Sequence, residues 1–191
     1  MEPELKSVPA CRRPARSLRA LRLFRRRTDG SVAVEFAMLS VPFLSLIFAI
    51  FQTSMVHITG QILQTAVTDA SRLVMTGQAQ NSAMTKAQFK TEICKRVTAM
   101  FNCNSLLELD VQTVAGGWAA ATIAAPPVVG GVIDTTQLTS FNLGTQGSIV
   151  VVRAMIAYPI IVPLVGTSFV NLSGNKLLIM ASAAFQNEPY S

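Results

Sequence analysis

The chain has 191 residues, half of them hydrophobic, with 16 Lys and Arg against 10 Asp and Glu and a net charge of +6. That balance would suit a nucleic-acid binder, but residues 1–30 hold nine basic and three acidic side chains, the whole of the excess, and the rest of the chain is neutral, seven against seven. The basic stretch has one aromatic, Phe24, and no nucleic-acid module, so base stacking and base readout have little to work with and its position argues for a topology signal.

Residues 32–51 follow it directly, and their only charge is Glu35. Twenty helical residues span the hydrocarbon core of about 30 Å. With the arginines on the amino-terminal side, residues 1–30 stay cytoplasmic and everything after about Gln52 faces outward, a single-pass membrane protein with its amino terminus inside and its carboxyl terminus outside. The basic residues also attract anionic headgroups of the lipid bilayer, at roughly 1 kcal/mol each.

An ordinary secretory signal has a shorter apolar core followed by a small-residue cleavage site. Here the apolar run is longer and is followed by "QTSMVHITG", while the polar break with a small residue precedes it, in "TDGSVAVEF" (28–36). Cleavage after Gly30 would remove the basic leader and keep the helix. It would also explain Glu35, because a carboxylate at a helix centre in the membrane costs about 2.5–3.5 kcal/mol, less near the interface, and needs a reason. The freed α-amine of Ser31 has a reference pKa near 8 and lies one helical turn from Glu35. Used between subunits, Glu35 of one copy neutralises the amine of the next and fixes axial register in a poor dielectric. The plainer alternative is an interfacial residue that snorkels to water.

A basic leader, Gly30, the glutamate five residues on in "GSVAVEF", and an apolar helix with an early proline resemble the class III signal of prepilins from tight-adherence (Flp) pilus systems. The run "GSVAVEFAMLSVPFLSLIFAIFQ" through "ILQTAVTDASRLVMTG" is similar to the TadE-like minor pilins or pseudopilins, as is the ending "VVRAMIAYPIIVPLVG" to "LLIMASAAFQNEP". The resemblance implies cleavage by a prepilin peptidase between Gly30 and Ser31, and an assembly contact at Glu35 and Phe36. It implies as partners the major Flp pilin, other pseudopilins and the inner-membrane pilus platform. Ser31 stands where type IVa pilins commonly carry phenylalanine, which puts N-methylation there in doubt.

The helix is expected to outrun the membrane. Ile58, Ile62, Ala66, Ala70 and Leu73 recur at helical spacing and Gly77 supplies a C-cap, so residues 31–76 form one helix of roughly 69 Å. Pro42 removes one hydrogen bond inside the span, and Gly60 is a second soft point. His57, the lone histidine, has no acidic neighbour in sequence and is read as an interfacial polar residue. Asp69 and Arg72 are placed for a helix-surface pair.

Cys11 belongs to the leader, whereas Cys94 and Cys103 lie outside the membrane, where a disulfide persists. "KAQFKTEICKRVTAMF" reads as an amphipathic helix from Lys86 to Phe101. Continuous helix would set the two cysteines about 13.5 Å apart, beyond bridging distance, so the expected disulfide requires the helix to end near Asn102 and fold back. Two cysteines and one distant histidine cannot fill a zinc site.

"LLELDVQTV" (106–114) alternates as a strand whose Glu108, Asp110 and Gln112 face water; "SIVVVRAMIAY" (148–158) is apolar on both faces and therefore central; Lys176–Asn187 is a third strand. Residues 118–124 are a weaker strand candidate, and 125–147, rich in Gly, Pro and Thr, form a surface excursion. Pro159 and Pro163 disqualify 158–170 as a central strand; the stretch is a buried loop or a contact surface, and a small domain's need for apolar residues favours burial. Asn171 sits in a formal glycosylation triplet, which the bacterial source that the resemblance implies makes irrelevant.

The fold class expected is α+β: a basic leader (1–30), a transmembrane helix (31–52), its periplasmic continuation (53–77) and a small domain (78–191) with a short helix and an antiparallel sheet on the stem. No carboxylate pair, phosphate-binding loop or nucleophile elbow is legible, so neither an enzyme nor a cofactor is expected. Two readings remain: a minor pilin or pseudopilin processed after Gly30, or an uncleaved envelope anchor whose periplasmic domain binds a partner.

Overall fold

The computed structural model describes residues 29–97, 103–121, 125–160 and 170–190. The leader with Cys11, residues 98–102, residues 122–124 and residues 161–169, which include most of the apolar stretch 158–170, lie outside the described residues. Helix α1 runs unbroken over Asp29–Met75, as the periodicity and composition of the stretch required. The chain divides between Leu46 and Ile47 into two units.

The first unit, where described, is the opening part of α1. Its surface is apolar and uncovered: Val32, Phe36, Met38, Leu39, Val41 and Phe43 are all exposed. Pro42 lies inside the helix, and the Ser45 hydroxyl donates to the Pro42 carbonyl at 2.8 Å. Among the described residues α1 is the one helix long and apolar enough to cross a membrane; its most apolar 18-residue window has a mean hydropathy of 2.2 and is 6% buried.

The second unit is α+β. The remainder of α1 is followed by α2 (Gln78–Asn81), α3 (Lys86–Val97), α4 (Cys103–Leu106), β1 (Leu107–Val114), β2 (Val128–Val129), β3 (Val132–Ile133), β4 (Ile149–Pro159) and β5 (Lys176–Gln186). β1, β4 and β5 form an antiparallel sheet with β4 central, as its two apolar faces predicted. One face, through Leu109, Val111, Val152, Ile156 and Ala181, packs with Leu63, Val67 and Val74 of α1 and Phe89 and Ile93 of α3 in a single core. Burying a Leu, Ile or Phe side chain contributes about 1.5–3 kcal/mol, so this layer is what holds helix and sheet together.

Several expectations need correction. The buried stripe of α1 is Thr59, Leu63, Ala66, Val67, Ala70, Ser71 and Val74, while Ile58 is exposed. It shares Ala66 and Ala70 with the expected stripe, and Ile62 and Leu73 are half-buried against the same core, so the expected face fails only at Ile58 and its centre is turned by about one residue. Asp69 pairs with Arg96 of α3, at 3.1 Å from its Nε, in place of Arg72. Residues 118–120 form a 3₁₀ turn, not a strand. The excursion 125–147 carries a small hairpin, β2–β3, turned at Gly130 and Gly131, whose φ values of 60° and 76° suit the tight turn between twisted strands. A 3₁₀ turn follows at Thr135–Gln137. Asp134 caps it, and the hydrogen bonds from Thr136 and then Gln137 hold its carboxyl below the ordinary value.

Pro159 is a further correction, since it closes β4 and pairs with Lys176. Proline is tolerated there because β1 reaches only Ile156, leaving the flank of β4 beyond it without a neighbour that needs an N–H. The outer edge of β5 is sealed by side chains. The Gln64 amide donates to the Ser182 carbonyl at 3.0 Å and its oxygen accepts from the Ser182 N–H at 3.4 Å, while Asn171 Oδ1 accepts from the Leu178 N–H at 2.7 Å. Blocking an edge in this way discourages pairing with another chain.

The largest departure concerns Asp110. Expected on a wet face with Glu108 and Gln112, it is 1% exposed and opposes Arg153, itself 7% exposed. Arg153 donates to Asp110 Oδ2 from Nε at 3.0 Å and from Nη2 at 2.5 Å, and Gln112 Nε2 reaches both carboxylate oxygens. Val151 and Met155, on the same side of β4, are also buried, so the sheet is covered on both faces over this part.

Cys94 and Cys103 are joined by a disulfide with 5.6 Å between α-carbons, both residues buried. α3 is described over Lys86–Val97 and the one-turn α4 begins at Cys103; the rest of the expected helix, residues 98–101, lies outside the described residues, and the 5.6 Å between the two α-carbons is far less than continuous helix would set between them. Replacing both cysteines by serine is expected to lower unfolding free energy by roughly 2–3 kcal/mol for so short a loop, measured by denaturant unfolding of the full chain in detergent. An unchanged midpoint would mean that the bridge constrains nothing the core does not already hold.

Candidate processing and assembly site

Gly30, Ser31, Glu35 and Phe36 occupy the first turns of α1, whose helical geometry sets them on one exposed stretch. Gly30 is exposed, and a Cβ placed on it would meet nothing within 4 Å. Among the described residues nothing packs where a side chain at this position would stand. What a glycine leaves here is bare backbone beside the Gly30–Ser31 bond, open to approach from outside.

The Ser31 hydroxyl donates to Glu35 Oε1 at 3.1 Å, the i to i+4 contact that one helical turn allows. Serine and glutamate thus share a face, and the backbone nitrogen that cleavage would free belongs to a residue already in contact with the carboxylate. Among the described residues Glu35 forms no ion pair; the three present are Lys95–Glu92, Arg96–Asp69 and Arg153–Asp110. Phe36 is 72% exposed, beside exposed Val32 and Leu39, an apolar surface without cover in the single chain. A lone carboxylate flanked by uncovered apolar side chains can accept a cation and pack a helix from a second molecule at the same time.

Elsewhere chemistry is sparse. Among the described residues no group of three or more His, Cys, Asp or Glu side chains could hold a metal ion. His57 is exposed on α1. The buried Asp110–Arg153 pair, which sequence reasoning missed, is bonded within itself and to Gln112, and both of its side chains are buried. The signal that would have found it is the single arginine inside the two-faced apolar strand "IVVVRAMIA", which needs a buried anion beside it.

Residues 30–72 match the family model described as TadE-like protein. The match begins at Gly30, takes in Ser31, Glu35 and Phe36, and covers α1 as far as Arg72, leaving the sheet unmatched. Neither the curated proteins nor the solved structures contain a match to the chain.

Proposed function

We propose that the protein is a TadE-like minor pilin or pseudopilin that acts in assembly of a tight-adherence (Flp) pilus, cut after Gly30 by a prepilin peptidase. The observation that carries this reading is the TadE-like match over residues 30–72, because it falls on the helix that holds the whole site. The uncovered apolar surface of α1 supports the companion point of location: a single span in the inner membrane, with residues 1–30 as a cytoplasmic leader and residues 78–191 as a periplasmic domain.

In this reading residues 31–52 cross the bilayer and residues 53–77 carry the domain on their outer part. Cleavage exposes the Ser31 amine, Glu35 of one subunit receives the amine of its neighbour, and Phe36 packs against the neighbouring helix. The partners are the prepilin peptidase, the major Flp pilin with other pseudopilins, and the inner-membrane platform. The role is structural, carried by contacts and not by catalysis.

Intact mass and amino-terminal sequencing of the membrane-bound protein test it, in cells with and without the prepilin peptidase. The expected result is a chain starting at Ser31 only when the peptidase is present. A chain that keeps its arginine leader in both strains would sink the pilin route and leave an uncleaved anchor.

A further inference from the structure

The segment after β5 makes contacts that reach beyond the processing site and beyond the paired strands. Glu188 donates its backbone N–H to the carbonyl of Met75, the last residue of α1, at 2.9 Å. Helix ends leave such carbonyls without partners, and here the partner arrives from more than a hundred positions along the chain. Two residues on, the Tyr190 ring lies over Gly77: a Cβ built on that glycine would collide with Tyr190 Cγ. Gly77 has a φ of 78°, so two independent constraints, a left-handed backbone and an aromatic ring, exclude any side chain there.

The same segment holds the loop that precedes β4. Asn187, 2% exposed, donates from Nδ2 to the carbonyls of Leu143 at 2.9 Å and Thr145 at 3.0 Å. Its backbone exchanges bonds with Ser148 and Gly147, and Gln146 donates to the Tyr190 carbonyl. Gln80, just past Gly77, donates to the Leu143 carbonyl at 3.0 Å, so the loop is tied directly to the turn after α1 as well.

We propose that Asn187–Tyr190 is a clasp: it fastens the end of α1 to the 143–147 loop, and it opens as one unit while β1, β4 and β5 stay paired. The hydrogen bonds it makes join turns and element ends, the class that opens at low free energy, whereas β4 is bonded on both sides. Opening frees the last carbonyl of α1, the Gly77 turn and the loop from these four residues together, and leaves the Gln80 bond to Leu143 as a direct tie between turn and loop. The inference stands apart from the pilin reading, since its readouts need no pilus.

Hydrogen exchange of the full chain in detergent micelles tests it, comparing the wild type with Tyr190→Ala, Tyr190→Phe and Gly77→Ala. Tyr190→Ala is expected to speed exchange at the Gly77, Gly147, Asn187 and Glu188 amides together by at least tenfold, with the amides of central β4 unchanged. Tyr190→Phe keeps the ring and should exchange like the wild type. Gly77→Ala, which pushes the ring away, should give the Tyr190→Ala pattern, and combining the two should add less than either alone. Acceleration confined to Glu188 would overturn the clasp, as would equal acceleration throughout β4. If Gly77→Ala fails to fold, the alanine and phenylalanine variants of Tyr190 decide between these outcomes.

Discussion

Arg153→Met is expected to cost about 3–5 kcal/mol of unfolding free energy, a large share of what a domain of this size possesses. The change removes the guanidinium that donates twice to Asp110 and leaves a carboxylate that is 1% exposed with, among the described residues, the Gln112 amide beside it. An unpaired charge held away from water is among the few lesions that reach this size. Asp110→Asn should be destabilising as well, since the buried guanidinium then faces a neutral amide in place of this carboxylate. The double variant Asp110→Leu, Arg153→Met should recover most of the loss, because two apolar side chains need no partner. Denaturant unfolding of the full chain in detergent, followed by a probe in the sheet, measures all three. Single variants within 1 kcal/mol of the wild type would mean that water reaches the pair.

The pair also bears on register. β4 is apolar on both faces, so sliding it along β1 by two residues would exchange one apolar contact for another at little cost. It would not leave Asp110 opposite Arg153. The ion pair therefore discriminates between registers that the hydrophobic pattern barely separates, whatever its net contribution to stability.

How far the fold could be read depended on how many arrangements satisfy a given pattern. The long helix was legible because an apolar run from Val32 that passes into a periodic stem admits one structure, and α1 is that structure. The central place of β4 followed from its two apolar faces. The same observation carried a consequence for its neighbour: a sheet buried on both sides at β4 must bury some of β1 on both sides too. Read alone, the alternation of "LELDVQ" sends Asp110 to water; read beside "VVVRAMI", it pairs Asp110 with the arginine of that strand. Long-range contacts of single side chains were less accessible. Nothing local in the sequence tells that Gln64 would seal the edge of β5 at Ser182, or that Tyr190 would lie over Gly77, because both join positions far apart in the chain. At the candidate site the order of residues was enough, since Gly30, Ser31 and Glu35 fall within two turns of one helix and helical geometry fixes their spacing.

Glu35→Gln is expected to be cut after Gly30 like the wild type and then to enter fibres at least about tenfold less, the population change that 1.4 kcal/mol brings. The substitution keeps the size of the side chain and its hydrogen-bonding capacity toward Ser31 while removing the charge. What it takes away is the attraction for an α-amine. That attraction is about 4 kcal/mol at 4 Å in a medium of intermediate dielectric, before desolvation of both groups is subtracted. The two readouts separate the steps: intact mass of the membrane fraction reports cleavage, and the subunit content of sheared fibres reports assembly. Glu35→Asp supplies the control on reach, for it keeps the charge but shortens the arm by one methylene, and should assemble better than the glutamine variant and worse than the wild type. A glutamine variant that is processed and incorporated in wild-type amounts would leave Glu35 as an interfacial residue, and the contact between subunits would then rest on Phe36 and the apolar surface around it.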